Sequence, residues 1–160
     1  MNMPQNKEII EKFYTSFQNK DSKTMLECYH EDIEFSDPVF QNLKGIQAKA
    51  MWMMLIEKSP ELKILFSNIQ SDGDFASADW EADYPFGKTK RQIHNKIHAE
   101  FQLKDGKIIN HKDNFSLWKW AGMALGISGV LLGFTSKIQN KIRSEAMTGL
   151  TMYMKRKRLL

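Results

Sequence analysis

The chain has 160 residues, 42% hydrophobic and 26% charged, which fits one soluble globular domain with a substantial core. Its single cysteine, Cys28, excludes an internal disulfide and a cysteine-rich zinc cluster, and we expect a buried, unreactive thiol. The net charge of +4 equals that of the basic run at residues 155–158, so the remaining chain is neutral. We expect this run to be a solvated helix end, and we expect no nucleic-acid partner.

The first half of the chain predicts three helices and one strand. The opening residues, MNMPQNKEII, contain neither an apolar run nor a small-residue cleavage site, so we expect no secretory signal and a cytoplasmic protein. Apolar residues at helical spacing, with breakers between them, predict helices at 7–19, 22–30 and 46–57. Tyr29 lies on the apolar face of the second helix. A strand at 33–36 follows and ends at Asp37-Pro38.

The second half predicts strands, because its apolar residues alternate with polar ones. The predicted strands are 61–71, 75–84, 93–104 and 107–115. Asp105-Gly106 joins the last two strands as a hairpin turn. Helices followed by a meander of strands predict an α+β fold, with three helices packed on one face of a curved, mostly antiparallel sheet. We place this domain at residues 1–116.

The last quarter, residues 117–160, predicts an apolar helical extension with a basic tail. The stretch from Trp120 to Phe134 has 15 uncharged residues, fewer than the about 20 that a spanning helix needs. We expect a helical hairpin that covers the domain or forms an oligomer contact, and a peripheral membrane contact is the alternative. A final helix from Ser136 to Lys155 carries an apolar stripe suited to docking on the domain or on a second subunit, and we expect a homodimer.

Asp37 is the most informative candidate for chemistry. It ends a short strand, is followed by Pro38, and has apolar and aromatic neighbours on both sides in the sequence. Phe35, Phe40 and Trp80 would keep water away from its carboxyl and raise its pKa towards neutrality, which suits a general base. The simpler interpretation is that Asp37 caps the turn before Pro38.

Tyr14, His111 and Asp113 are further candidates. Tyr14, on the first helix, would donate a hydrogen bond to a developing oxyanion, or would be a core residue with a backbone partner. His111 and Asp113 lie two apart on the last strand and share a face with Ile109 and Phe115, so both can reach a pocket. Asp113 is thus a rival base, and the simpler interpretation is a buried hydrogen-bonded pair.

His94 and His98 invite a metal site, but their spacing argues against one. Four residues along a strand span about 13 Å, too far for two ligands of one ion. Both side chains lie opposite the apolar face of their strand, so we place them on an outer or subunit-facing surface, and we expect no metal. The ten methionines suit an adaptable pocket or, as we favour, an ordinary core.

Four features within residues 7–115 carry a resemblance to a known superfamily. They are EIIEKFYTSFQNKD, YHEDIEFSDPVF, Gly45 before the third helix, and DGKIINHKDNF. With the order of helices and strands, they resemble the nuclear transport factor 2-like superfamily, which includes ketosteroid isomerase, SnoaL-like polyketide cyclases and limonene epoxide hydrolase. The resemblance implies a cone-shaped α+β barrel with an interior pocket. Because this fold hosts enzymes, binding modules and transport adaptors, function depends on the site.

Within this superfamily, the Asp37 passage resembles the part of ketosteroid isomerase that holds its general base, and Tyr14 matches its oxyanion donor. That enzyme completes its oxyanion hole with a protonated Asp. The corresponding position here is Ala99 or its neighbour His98, and neither is an acid. NHKDNF resembles instead the SnoaL-like cyclases, whose acid-base Asp lies in this part of the sheet, which implies a role for Asp113.

Two functions fit these residues. The first is a cofactor-free isomerase or cyclase that binds a small hydrophobic carbonyl compound, with Asp37, or Asp113 with His111, as the base and Tyr14 at the enolate oxygen. The alternative is a non-catalytic module that binds a lipid or another hydrophobic ligand, with the C-terminal hairpin as lid or membrane contact. The residues expected to line the pocket in either case are Phe17, Phe35, Phe40, Met54, Trp80, Tyr84, Ala99 and Phe115.

Overall fold

The computed structural model describes residues 3–160, with side chains from residue 5 onward. Residues 1 and 2, on which part of the prediction about a secretory signal rests, lie outside the described residues. The elements are α1 (Met3–Gln18), α2 (Ser22–Glu27), β1 (Tyr29–Ser36), β2 (Leu43–Lys44), α3 (Ile46–Lys58), β3 (Lys63–Asp72), β4 (Phe75–Pro85), β5 (Gln92–Lys104), β6 (Lys107–Asn114), α4 (Leu117–Leu125), α5 (Ile127–Leu132) and α6 (Ser136–Arg156).

The six strands form one sheet in the order β2-β1-β6-β5-β4-β3. Strands β3 to β6 pair antiparallel in chain order, which confirms the predicted meander. Strand β1 pairs parallel to β6 and antiparallel to the short β2. The predicted α+β class and the cone-shaped arrangement are therefore confirmed, with the sheet open between its edge strands rather than closed into a barrel.

The core lies between the helices and the inner face of the sheet. On α1, Phe13, Tyr14 and Phe17 are fully buried, and Trp52 of α3 faces the same interior. Buried residues alternate with more exposed ones along the whole of β5 and along β4 from Phe75 to Asp83. Strand β6 lies between β5 and β1, near the middle of the sheet.

Two details of the predicted elements were wrong, the end of the second helix and the face of the last strand on which Ile109 lies. Helix α2 ends at Glu27, and Tyr29 begins β1 instead of lying on a helix. The cause is pairing with β6, because the N–H of Ile108 donates to the Cys28 carbonyl at 2.8 Å and Tyr29 lies level with Ile108. A register shift after Gln102 also buries Ile108 rather than Ile109, so Ile109 is not on the inner face with His111.

The C-terminal segment forms the predicted helical hairpin and a long final helix. Helices α4 and α5 meet at Gly126, whose φ of 71° favours glycine. Helix α6 docks through Leu150, Tyr153 and Met154, which are buried against the core. Within the described residues, no helix is both long enough and apolar enough to cross a membrane. The predicted domain boundary after residue 116 lies in the connection between β6 and α4 and stays a prediction.

Candidate active site in the interior of the cone

A continuous chain of polar side chains crosses the apolar interior. The indole N–H of Trp52 donates to the Tyr29 hydroxyl at 2.8 Å. That hydroxyl lies 2.7 Å from Nδ1 of His111, and Nε2 of His111 lies 2.9 Å from Oδ1 of Asp113. The indole N–H of Trp80 donates to the same Asp113 oxygen at 3.3 Å. All five side chains are buried, and each of them takes part in at least one of these hydrogen bonds.

One assignment of protons satisfies every contact in this polar chain. The Tyr29 oxygen accepts from Trp52, which leaves the hydroxyl proton free to donate to Nδ1 of His111. The remaining ring nitrogen then carries a proton and donates to the Asp113 carboxylate. Burial, together with the nearby Asp113 charge, raises the pKa of Tyr29, so the phenol keeps its proton. The predicted His111–Asp113 pair is confirmed, and Tyr29 extends it.

Aromatic rings enclose His111 on several sides. The ring stacks on Trp52 at a centroid distance of 5.8 Å and lies 4.4 Å from the ring of Phe101. Phe35 and Phe13 approach it edge-on at 5.0 Å and 5.6 Å. This packing excludes water and fixes the orientation of the imidazole, so its bonds to Tyr29 and Asp113 are held in place.

Asp37 sits at the rim of the cone, half-buried, in the turn that follows β1. Its Oδ1 accepts hydrogen bonds from the backbone N–H groups of Val39 at 2.7 Å and Phe40 at 2.6 Å. Burial raises the pKa of Asp37 to about 7, against the two backbone bonds, and the Asp113 charge adds to the rise. Asp37 therefore caps its turn, as the simpler interpretation held, and also changes its charge near neutral pH.

The strand register places Asp37 and Asp113 at the same level. Ser36, the last residue of β1, lies opposite Lys112 of β6, and the next residues are Asp37, which begins the turn after β1, and Asp113 of β6. On the other side of β6, Ala99 is the partner of Asp113. The position expected to hold a third acid is thus a buried alanine, Ala99. Asp113, beside it on the neighbouring strand, supplies a carboxyl group at the same level of the sheet.

Tyr14 has a buried hydroxyl without a hydrogen-bond partner among the described residues. Its ring stacks on Phe66 at 5.5 Å and tilts against Trp80 at 6.0 Å, so the side chain is firmly held. Burial raises the pKa of Tyr14 well above its usual value, and the charge of Asp113 contributes. A protonated phenol near a carboxyl, with no acceptor, is a hydrogen-bond donor that a ligand oxygen would satisfy.

The C-terminal helices cover the rim of the cone where Asp37 lies. Nε of Arg143, on α6, donates to the carbonyl of Pro38 at 2.9 Å. The indole N–H of Trp120, on α4, donates to the Tyr84 hydroxyl at 2.9 Å. Burial raises the pKa of Tyr84, and the Asp37 charge adds to this effect, so Tyr84 and Asp37 belong to the same rim. Helices α4 and α6 are therefore both bonded to residues of this rim.

The predicted lining residues all lie in the buried cluster or pack against it. They are Phe17, Phe35, Phe40, Met54, Trp80, Tyr84, Ala99 and Phe115. An open groove of about 1040 Å³ lies elsewhere, between β5 and α4, and a second of about 550 Å³ lies near the β5–β6 turn. Neither groove is lined by Asp37, Tyr14, His111 or Asp113. A ligand-binding role of these side chains stays a prediction.

The other candidate residues lie outside this interior. His94 is exposed and pairs with Asp83 at 2.7 Å, and His98 is exposed and pairs with Asp79 at 2.6 Å, as expected for an outer face. Among the described side chains, no group of three or more His, Cys, Asp or Glu residues is placed to hold a metal ion. Cys28 is buried, and burial raises the pKa of its thiol.

Sequence reasoning missed two members of the polar chain, Tyr29 and Trp52. Both were interpreted as apolar helix residues, because their neighbours follow a helical period. The signal that identifies them is three-dimensional, since Tyr29 reaches His111 only when β1 lies parallel beside β6. A Tyr and a Trp each carry a polar group that needs a partner when buried, which is the only hint the sequence holds.

The comparisons with known proteins agree with this architecture. The family model of the SnoaL-like domain matches residues 10–111, which ends before the C-terminal helices. No curated protein sequence matches the chain at a significant level.

Solved structures of low sequence identity share the fold. A protein of Jannaschia sp. CCS1 assigned as a SnoaL-like polyketide cyclase is 18% identical, with a TM-score of 0.67 over 78% of this chain and 94% of that one. An epoxide hydrolase of M. tuberculosis, like limonene epoxide hydrolase, is 16% identical, with a TM-score of 0.63 over 82% and 98%. TerC, co-crystallised with polyporic acid, is 15% identical, with a TM-score of 0.65 over 76% and 99%. The chain therefore belongs to the SnoaL-like domain family and has the nuclear transport factor 2-like fold.

Proposed function

We propose that this protein is an isomerase- or cyclase-type enzyme that moves a proton on a small hydrophobic carbonyl compound. The observation that carries the proposal is the buried Tyr14 hydroxyl, which has no partner among the described residues and lies in the field of Asp113. A buried donor of this kind destabilises the folded protein unless a ligand oxygen accepts its hydrogen bond. The SnoaL-like family membership and the polyketide cyclase assignment of a structural neighbour support the same class of reaction.

Asp37 is the general base in this proposal. Its pKa of about 7 means that a large share of the carboxyl is ionised at neutral pH and is basic enough to remove a proton beside a carbonyl. Only Oδ1 takes part in the bonds to Val39 and Phe40, so Oδ2 is the oxygen that reaches the substrate. The half-buried position at the rim suits a group that meets a ligand entering from outside.

Tyr14 stabilises the negative charge that develops on the carbonyl oxygen. Its hydroxyl donates a hydrogen bond that strengthens as the oxygen becomes an enolate, which lowers the barrier to proton removal. The surrounding rings, among them Phe66 and Trp80, keep water out and strengthen this bond. Tyr14 thus acts on the reacting atoms directly.

Asp113 is a positioning residue whose charge tunes the two catalytic groups. It is held by His111 and Trp80, and its charge raises the pKa of both Asp37 and Tyr14. Asp37 is the better base because it is half-buried at the rim, whereas Asp113 is buried in the interior. The polar chain from Trp52 through His111 keeps Asp113 in this orientation.

Two products follow from the same enolate. If the proton held by Asp37 returns to a different carbon, a double bond has moved and the product is an isomer of the substrate. If instead the enolate carbon attacks a second carbonyl in the same molecule, a carbon–carbon bond closes a ring, and the oxygen of that carbonyl takes the proton. Both outcomes need an apolar enclosure and one base, and they differ in the functional groups of the substrate and in the shape in which it is bound.

A non-catalytic module that binds a hydrophobic ligand is the second candidate. It is favoured by the two backbone bonds that satisfy Oδ1 of Asp37 and by the C-terminal helices that cover the rim. In this function the Tyr14 hydroxyl would hold a ligand oxygen without any proton transfer. The two candidates therefore predict the same binding and different chemistry.

The test follows hydrogen–deuterium exchange at the carbon beside a carbonyl. A panel of hydrophobic enones and 1,3-diketones is incubated with the protein in D₂O, and exchange is followed by NMR. We expect catalysed exchange that rises with pH through an apparent pKa near 7. Asp37→Asn should lower the rate at least about a hundredfold, and Tyr14→Phe about tenfold to a hundredfold.

The matched control is Asp32→Asn, which removes an acid from β1, the strand that precedes Asp37; the Asp32 side chain is 80% exposed. This variant should exchange at the wild-type rate. If the wild type binds panel members, as shown by ligand-detected NMR, but gives the same exchange rate as Asp37→Asn, the enzyme proposal fails and the binding module is supported.

A further inference from the structure

The hairpin of α4 and α5 presents large apolar side chains to the outside. Ile127 is 79% exposed, Leu131 63% and Phe134 60%, and at least half of Val130 and Leu132 is exposed as well. We call these five side chains the apolar tip. Four of them, Ile127, Val130, Leu131 and Phe134, recur at helical spacing along and just beyond α5, so they share one side of the hairpin. A contiguous exposed apolar patch marks an interaction site.

The apolar tip faces outward because small residues occupy the inner side of the hairpin. Gly129 and Gly133 are buried against α4, where a Cβ on Gly129 would collide with the carbonyl oxygen of Ala121. The indole N–H of Trp118 donates to the Val130 carbonyl at 2.9 Å and ties the two helices together. The hairpin is therefore tightly closed, and its large side chains have no room to turn inward.

The chain around the apolar tip carries basic residues and no acids. Residues 114–144 contain neither Asp nor Glu, and Lys119, Lys137 and Lys141 in this segment are exposed. The first acid beyond it, Glu145, is paired with Lys88 at 2.8 Å. Apart from that neutralised pair, the charge of the segment next to the apolar tip is positive.

A basic loop from the sheet adds to this charge. Nε of Arg91 donates to the carbonyl of Met123 at 2.9 Å, and the Thr89 hydroxyl donates to the carbonyl of Ala124 at 2.7 Å. These bonds fix the β4–β5 loop beside α4, with exposed Lys90 and Arg91. We call the five exposed basic residues around the hairpin the cationic collar: Lys90, Arg91, Lys119, Lys137 and Lys141.

We propose that the apolar tip and the cationic collar form a docking surface for an anionic lipid membrane. The apolar tip enters the boundary between headgroups and acyl chains, and the cationic collar binds anionic headgroups around it. Helix α5 has six residues, and no described helix can cross a bilayer, so the protein lies on the membrane surface. This surface is separate from the interior site and does not depend on its chemistry.

A second copy of this chain fits the same surface less well. In a two-fold contact through the apolar tip, the cationic collars of both copies would face each other. Their like charges would repel, whereas an anionic membrane neutralises them. The charge distribution therefore selects a lipid surface, and self-association through the hairpin is the competing outcome of the test.

The test is co-sedimentation of the full chain with vesicles. Vesicles of phosphatidylcholine alone are compared with vesicles that also contain phosphatidylserine. We expect binding to the mixed vesicles, at least about fivefold weaker binding to the neutral ones, and weakening by added salt. Leu131→Gln with Phe134→Gln should lower binding at least about tenfold. Lys119→Glu with Lys137→Glu should lower it about tenfold or more on mixed vesicles only.

The matched control is Leu65→Gln, because Leu65 is 62% exposed on β3 and Leu131 is 63% exposed on the hairpin. This variant should bind vesicles as the wild type does. The proposal is overturned if the wild type ignores mixed vesicles, or if the two tip substitutions and the control behave alike. It is also overturned if sedimentation equilibrium shows a dimer that the tip substitutions dissociate while vesicle binding is absent.

Discussion

The interior of the cone and the C-terminal hairpin use similar residues in opposite ways. In the interior, large side chains such as Trp52 and Phe13 are fully buried, and small residues such as Ala99 line the sheet between them. In the hairpin, Gly129 is buried and Leu131 is mostly exposed. The residues of both regions are largely apolar in the sequence, so composition does not distinguish the cone interior from the hairpin.

The difference shows which part of the molecule holds the fold together. Burial of a large apolar side chain contributes about 1.5–3 kcal/mol, and the cone interior contains most such side chains. The hairpin gains little from its exposed side chains, and its close helix contact depends on glycine. We therefore expect substitutions in the interior to change stability, and those at the apolar tip to change what the surface binds.

The strongest test of the interior is His111→Ala. The change removes the middle of the polar chain, leaves a cavity among aromatic rings, and takes a partner from both Tyr29 and Asp113. We expect a loss of about 3–5 kcal/mol in the free energy of unfolding, measured by chemical denaturation. His98→Ala is the control, because that ring is exposed, and it should change stability by about 0.5 kcal/mol or less. Equal effects of the two changes would contradict the proposed polar chain.

Gly129→Ala tests the hairpin in the same terms. The new Cβ would press on the Ala121 carbonyl and lie 2.9 Å from the Gly122 nitrogen, and these backbone atoms cannot move without separating the helices. We expect a loss of about 2–3 kcal/mol in the free energy of unfolding if the hairpin unfolds with the rest of the chain.

Gly149→Ala is the matched control for that prediction. Gly149 lies inside α6, and a Cβ there meets nothing within 4 Å. Alanine is the better helix former, so this variant should be more stable by about 0.5–1 kcal/mol. If Gly129→Ala also stabilises the protein, the close packing of α4 on α5 is wrong.

Much of the fold was predictable because local patterns and tertiary structure agree. The alternation from Ala76 to Tyr84 identified β4 and its inner face, and the Asp105-Gly106 turn identified the β5–β6 hairpin. The start of β1 was not predictable, because a helical period continues through Tyr29 until pairing with β6 overrides it. The two-residue β2 is too short to leave any periodic signal.

Four residues of the candidate site were proposed from the sequence, whereas Tyr29, Trp52 and most of the connections between all of them were not. Asp37, Tyr14, His111 and Asp113 were all identified as candidates, and the pairing of His111 with Asp113 follows from their spacing on one strand. That Asp37 lies level with Asp113 depends on the parallel register of β1 and β6, which no local pattern encodes. The cover that α6 places over the rim is equally a long-range contact.

Among the expected losses of stability, the smallest attributed to a residue of the candidate site is the pH-dependent loss caused by Asp37. Its pKa is about 7 in the folded protein against 3.8 for the free carboxyl, so folding favours the protonated form. This stabilisation is fully present below about pH 4 and is lost as the pH rises through about 7. Because Asp37 is partly exposed, we expect the free energy of unfolding to fall by about 1–2 kcal/mol over this range. A fully buried carboxyl with the same difference in pKa would lose about 4 kcal/mol. Asp37→Asn keeps an acceptor for Val39 and Phe40, and its free energy of unfolding should lack this part of the slope between pH 4 and pH 8. The control, Asp32→Asn, should keep the slope of the wild type. Identical slopes in all three proteins would show that Asp37 is not shielded from water.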